Sequence, residues 1–197
     1  MMTLANLTRQ VRLPLLLTAS LLLCSGCAEM VVGVATGTVI ASDKRTLGAT
    51  VEDQQIESSA RRVLRGNPSI AGGNHMSFTS YNRVLLITGE VRDEKTRNKL
   101  DDLLRDIPNL RRIHNELTLA APSSGMSRVS DTYLTAKVKT RLLLEKDLNA
   151  NRFKIVSENG RLFMLGLCSR KDGAQAALVA RKTAGVQSVI TLFEYID

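Results

Sequence analysis

Two apolar runs closed by glycine, Val84-Leu85-Leu86-Ile87-Thr88-Gly89 and Arg161-Leu162-Phe163-Met164-Leu165-Gly166, lie 77 residues apart. Such self-similarity marks a duplicated structural unit. Each run follows a strand-like stretch and a turn, His75 to Ser80 before Tyr81-Asn82-Arg83, and Phe153 to Ser157 before Glu158-Asn159-Gly160. The Asn-Gly pair of the second copy is a strong hairpin signal. A helical pattern comes next: Leu100, Leu103, Leu104 and Ile107 in the first copy, and Ala174, Ala177, Leu178 and Arg181 in the second. A turn then returns the chain to a last strand, Arg111 to Leu119 or Gln187 to Tyr195. Each copy also opens with a helix, Asp53 to Arg65 and Asp131 to Glu145, where Asp53 and Ser130 or Asp131 are candidate N-caps. The expected fold class is α+β, with the order αββαβ occurring twice.

Ala120 to Arg128 (AAPSSGMSR) reads as a linker. The organisation is therefore a signal peptide over residues 1–26, an acylated amino terminus and tether over 27–52, one domain over 53–119, the linker over 120–128, and a second domain over 129–197. Domains this small approach the lower limit for an autonomous core, so packing one on the other would help both.

The amino terminus decides where such a chain works. Arg9 and Arg12 precede the apolar run Leu13 to Leu23, which is followed by Cys24-Ser25-Gly26-Cys27. The run is too short for a membrane span, which needs about 20 residues, and it reads as a signal peptide. Ser25-Gly26-Cys27 resembles the bacterial lipobox, in which the Cys is acylated and becomes the new amino terminus. Cys24 stands where the lipobox usually has Leu. Several acyl chains on Cys27 would hold the protein on a bilayer, since each buried methylene contributes about 0.8 kcal/mol. In the lipoproteins this segment resembles, an Asp after the Cys commonly retains the protein at the inner membrane, so the resemblance implies for Ala28 onward sorting to the outer membrane, facing the periplasm. Val31 to Ile40 is too short and too Gly-broken to be read as a span.

Lys and Arg number 27 against 19 Asp and Glu. Removing Arg9 and Arg12 with the signal lowers the formal +8 to +6, which still favours an anionic lipid surface, while export removes nucleic acid as a partner. Cys168 remains as a lone thiol, expected to fill a small space in the core. His75 and His114 have no Cys or His at ligand spacing, and no nucleophile motif or Gly-rich phosphate loop is present in the sequence. Asp93-Glu94 and Asp101-Asp102 suit a helix start and a solvated face. No enzyme activity, metal, cofactor or small-molecule substrate is expected.

The duplicated αββαβ order, with Asn109-Leu110 or Gly185-Val186 before each last strand, resembles the BON domain. The closest local matches are Ser130 to Lys139 (SDTYLTAKVK) and the Glu158-Asn159-Gly160 hairpin. With the lipobox-like segment, the chain resembles outer-membrane lipoproteins carrying two such domains. The resemblance implies a non-enzymatic role in envelope integrity, binding of anionic phospholipid, and an association with the β-barrel assembly machinery.

The opening helices differ between the copies. Ile56, Ala60, Val63 and Leu64 give the first one apolar stripe, with Glu57, Arg61, Arg62 and Arg65 around the rest. In the second, Leu134, Val138 and Leu142 form a core stripe, while Tyr133, Ala136, Thr140, Leu143 and Leu144 form another, flanked by Lys137, Lys139 and Arg141. An aromatic and aliphatic strip bordered by cations suits a headgroup interface, or else a protein surface. Tyr133, Ala136, Lys137, Thr140, Arg141 and Leu144 are the candidate lipid-binding residues, and Cys27 is the lipidation site.

Overall fold

A computed structural model describes residues 45–196. The segment read as a signal peptide, Cys27 and most of the segment read as a tether lie outside the described residues. The first domain runs through α1 (Leu47–Arg65), a one-turn α2 (Pro68–Ala71), β1 (His75–Tyr81), β2 (Val84–Val91), α3 (Glu94–Leu104), β3 (Arg112–Asn115) and a short β4 (Thr118–Leu119). The second comprises α4 (Gly125–Leu144), a 3-10 turn (Ala150–Arg152), β5 (Phe153–Glu158), β6 (Arg161–Cys168), α5 (Arg170–Arg181) and β7 (Ser188–Tyr195). The first two strands of each copy pair antiparallel, and the last strand pairs parallel to the second. The expected αββαβ order is present twice, with α2 and β4 as additions in the first copy.

Both opening helices begin earlier than expected. Their N-caps are Thr46 and Ser124, whose hydroxyls accept from the backbone N–H of Ala49 and Ser127. Asp53 and Asp131 therefore do not cap the helices that contain them. Residues 47–52 belong to α1 instead of a tether, and Gly125 to Arg128 belong to α4 instead of a linker.

The two aspartates cap the hairpins instead. Asp53 Oδ1 accepts from the Arg83 N–H at 2.7 Å and the Ser80 hydroxyl at 2.7 Å. Its Oδ2 accepts from the Asn82 N–H at 2.8 Å and from Arg45 at 2.8 Å. In the second copy Asp131 accepts from the N–H groups of Asn159 at 2.8 Å and Gly160 at 3.0 Å. Both turns place two successive residues in the left-handed region, Asn82 and Arg83 at φ 50° and 64°, Asn159 and Gly160 at 50° and 73°. That is the geometry of a two-residue type I′ hairpin. Arg83 adopts it without the freedom of glycine, so the first turn depends more on its aspartate. Asp53→Ala should lower stability by about 2 kcal/mol, the cost of stranding buried partners, and Asp131→Ala by less; chemical denaturation of the two variants checks the order.

Each central strand is buried on both faces. Leu85 and Ile87 of β2 pack with Ile56, Ala60, Leu100 and Leu104 from the helices of the first domain, and Leu162 and Met164 of β6 pack with Val138, Leu142, Ala176 and Ala180 of the second. The alternate residues, Leu86, Phe163 and Leu165, meet one another and Tyr81 in a third cluster joining the two domains. The sheets thus stack face to face, helices outward.

Polar contacts fringe that stack. Lys154 reaches Glu57 at 2.8 Å, Arg161 reaches Glu116 at 2.6 Å, Arg111 reaches Glu194 at 3.0 Å, and the Tyr81 hydroxyl donates to the Arg152 carbonyl at 3.0 Å. Half-exposed ion pairs contribute little each, so the apolar stack carries the association and the rim fixes its register.

The helix after the second hairpin departs from its expected face. Gly173, Ala176, Ala177, Val179 and Ala180 of α5 are buried, whereas Leu178 is exposed and Ala174 and Arg181 face outward with it. A face of small residues brings this helix close to the sheet: a Cβ on Gly173 would stand 3.0 Å from the Phe193 ring and 3.3 Å from Cys168 Sγ. Cys168 is fully buried there, as a core residue. Asp93 caps α3 by accepting from the Thr96 N–H at 2.7 Å, a bond that holds its carboxyl below the ordinary value.

Candidate functional site

The outward strip of the second opening helix is exposed along its length. Leu134, Val138 and Leu142 point into the core, as their spacing requires. Tyr133 is 67% exposed, Leu143 63% and Leu144 78%. Because α4 starts at Gly125, Met126 and Val129 extend the strip by two turns, 78% and 65% exposed. Both lay in or at the edge of the segment read as linker. The signal for them was the apolar period itself, which continues backward from Tyr133 by four and then three residues. Met126, Val129, Tyr133, Ala136, Thr140 and Leu144 now line one side of a helix of 20 residues, about 30 Å at 1.5 Å each.

The Thr140 hydroxyl within the strip is satisfied from inside the helix. Thr140 Oγ1 donates to the Ala136 carbonyl at 3.0 Å, so its hydroxyl makes a bond that an apolar neighbour would not remove. Lys137 and Arg141 are placed differently from the expectation. Lys137 Nζ donates to the Ala184 carbonyl at 2.9 Å, and Arg141 donates to the Lys182 carbonyl at 2.8 Å. They bind carbonyls just past the end of α5, where a helix dipole favours cations. Their charge borders the strip, but their positions are fixed by the domain. Lys137 Nζ also stands 6.0 Å from the Tyr133 ring centroid.

The structure also gathers residues that lie far apart in the chain. His75, expected to stand without ligating partners, lies across the sheet from Glu90, and Glu158 of the other domain closes the group. His75 Nδ1 is 3.4 Å from Glu90 Oε2 and 3.9 Å from Glu158 Oε1. Glu90 is 1% exposed and Glu158 is 8%. Burial, first of all, pushes the Glu158 carboxyl above its ordinary value; His75 opposes this, and Glu90 and Asp131 add to it. Nothing in the spacing of residues 75, 90 and 158 announces this meeting, because it needs the two sheets stacked. His114 is remote from the group in β3, held below its ordinary value by burial first and by Arg112 second.

Two αββαβ units, each a mixed sheet under its own helices, define a tandem of small α+β domains with an unpartnered helix face on the second. The chain belongs to the BON family: the model of the BON domain matches residues 52–121 and 130–197. It is 29% identical over 186 residues to the outer membrane lipoprotein DolP of Haemophilus influenzae, covering 94% of this chain and 96% of that protein. It is 26% identical over 156 residues to the 21 kDa hemolysin of Actinobacillus pleuropneumoniae, covering 79% and 80%. Among solved structures, CdsD, a structural protein of the type III secretion system of Chlamydia trachomatis, covers 70% of this chain and 92% of its own at 10% identity. Its TM-score of 0.30 is too low for a functional comparison.

Proposed function

We propose that this chain is an outer-membrane lipoprotein, anchored through acylated Cys27 and facing the periplasm, whose second BON domain docks on anionic phospholipid through the outward face of α4. The observation that carries the reading is the exposed strip itself. Met126, Val129, Tyr133, Leu143 and Leu144 present their apolar side chains on one helix, beside Lys137, Lys139 and Arg141. Burying large apolar side chains of this kind contributes about 1.5–3 kcal/mol each when complete, and a cation near an anionic surface adds about 1 kcal/mol. A tethered domain needs little more than this to stay on the surface. The name of the Haemophilus relative, an outer membrane lipoprotein matched over nearly its whole length, supports the location. Such a role needs no catalytic residue. An association with the β-barrel assembly machinery belongs to the same proposal, as the alternative use of the same strip.

Sedimentation with vesicles tests it, using protein that lacks Cys27 and the signal so that acyl chains cannot mask the docking. Binding is expected to require anionic lipid and to fall with salt. Tyr133→Ser with Leu144→Ser should weaken binding by about tenfold or more at unchanged melting temperature, because both side chains are exposed. Arg62→Glu with Arg65→Glu in α1 should weaken it less, since the exposed apolar side chains of that helix, Leu47 and Val51, lie at its opposite end. Equal losses from the two pairs would show diffuse attraction, and binding to zwitterionic vesicles alone would remove the anionic surface from the reading. Lys137 and Arg141 are unsuited to this test, because changing either also strips a carbonyl of its donor.

A further inference from the structure

We propose that His75, Glu90 and Glu158 form a binding site for a divalent transition-metal ion of the zinc class, which clamps the first BON domain to the second. The donor atoms of the three side chains all lie within 4.8 Å of one another. Ligand atoms about 2.0–2.1 Å from a tetrahedral zinc ion stand about 3.4 Å apart. The His75 Nδ1 to Glu90 Oε2 distance is already 3.4 Å, and Nδ1 to Glu158 Oε1 is 3.9 Å, so small side-chain adjustments complete the geometry.

The chemistry of the group points the same way. His75 Nδ1 is shielded from solvent and has no hydrogen-bond partner, although Glu90 Oε2 stands 3.4 Å away. A buried nitrogen left so is costly, and a metal would use its lone pair. The two glutamates bring two negative charges into a poorly solvated space, which a divalent ion matches. One imidazole with two carboxylates suits zinc and its transition-metal neighbours better than calcium or magnesium, which prefer oxygen alone.

An outer shell is also in place. Asn159 Nδ2 donates to Glu90 Oε1, and the Ser123 N–H donates to Glu90 Oε2 at 3.2 Å. Such bonds orient ligating carboxylates. Access exists as well: His75 and Glu158 line an open groove of about 520 Å³ between β5, α4 and the first domain, wide enough for an ion and the water completing its coordination. His75 and Glu90 come from one domain and Glu158 from the other, so binding would favour the stacked arrangement over any separated one. This inference does not depend on lipid docking by α4.

The test uses the full lipidated chain in detergent, freed of metal by a chelator and then desalted. Titration calorimetry with Zn²⁺ alone should give one ion per chain, and saturating Zn²⁺ should raise the melting temperature by several degrees. Co²⁺ in its place should give the visible absorption of a four- or five-coordinate site. His75→Gln and Glu158→Gln should each weaken Zn²⁺ binding at least about tenfold, the loss that even outer-shell changes produce, and should abolish the Co²⁺ bands. His114→Gln should change neither. Circular dichroism of the metal-free variants shows whether they fold. If neither glutamine variant does, the Co²⁺ spectrum and stoichiometry of the unaltered chain decide. Absence of stoichiometric binding, a six-coordinate Co²⁺ spectrum, or undiminished binding in either folded variant would overturn the site.

Discussion

Replacing Gly89 by alanine should destabilise the first domain by about 4 kcal/mol. Gly89 has φ 119°, a conformation that side-chain-bearing residues rarely adopt. A Cβ there would stand 2.1 Å from the His75 carbonyl oxygen and 2.9 Å from its carbonyl carbon. Both are backbone atoms, and β1 cannot retreat without breaking a ladder that pairs every residue from His75 to Tyr81 with β2. Strain at such a φ costs about 1–3 kcal/mol, and an unrelieved clash adds about 1–3 kcal/mol or more. The sum is on the order of 4 kcal/mol, a large part of the 5–15 kcal/mol that holds a typical protein folded. Gly166 closes the equivalent strand without positive φ. A Cβ there would stand 2.9 Å from both the Arg152 carbonyl oxygen and the Phe153 ring, and the ring can turn. Gly166→Ala should therefore cost less, about 2 kcal/mol. Urea denaturation of the two variants checks the order; an equal cost would show that the backbone conformation at Gly89 is not what demands glycine.

Phe163→Ala should cost about 3–5 kcal/mol, the usual loss for a buried phenylalanine, and the loss should be shared between the domains. Phe163 is fully buried, but it points away from the helices of its own domain. It packs with Leu165 against Tyr81 and Leu86 of the other sheet, and the Arg161 guanidinium sits 5.0 Å from its ring centroid. The cavity therefore opens between the domains. Denaturation followed at both domains should show one coupled transition in the unaltered protein and earlier, separating transitions in the variant. Leu144→Ala, at an exposed position of similar hydrophobicity, should change stability by less than about 0.5 kcal/mol. A loss below about 1 kcal/mol for Phe163→Ala would mean that the sheets do not stack in solution.

Most of the local structure was legible. The hairpins, their turns, the core stripes of α1, α3 and α4, and the buried Cys168 all follow from period, turn chemistry and apolar runs. The misreadings have local causes. Asp53 and Asp131 carry the side chain of an N-cap, and only the tertiary fold shows them turned toward the hairpins. Gly125 and its serine neighbours have the composition of a linker, yet Ser124 supplies the true cap and the helix runs on. In α5 the spacing of Ala174, Ala177, Leu178 and Arg181 marks a face one residue-step away from the buried one, whereas the sheet selects Gly173, Ala176 and Ala180 because their small side chains allow closer approach.

The division between sequence and structure is clearest in the two central strands. Their sequences are continuous apolar runs without the alternation of a half-exposed strand, and that alone requires burial on both faces. The repeat likewise requires two copies of one unit, and the second apolar stripe of α4 is left outside its own core. What covers the second face of each strand depends on the stacking of one sheet on the other, which depends on complementary shape at Leu86, Phe163 and Leu165 and on rim pairs such as Arg161 with Glu116. The same stacking brings Glu158 to His75 and Glu90. Residues far apart in a chain meet only when two folded surfaces dock, and no local period encodes which surfaces those are.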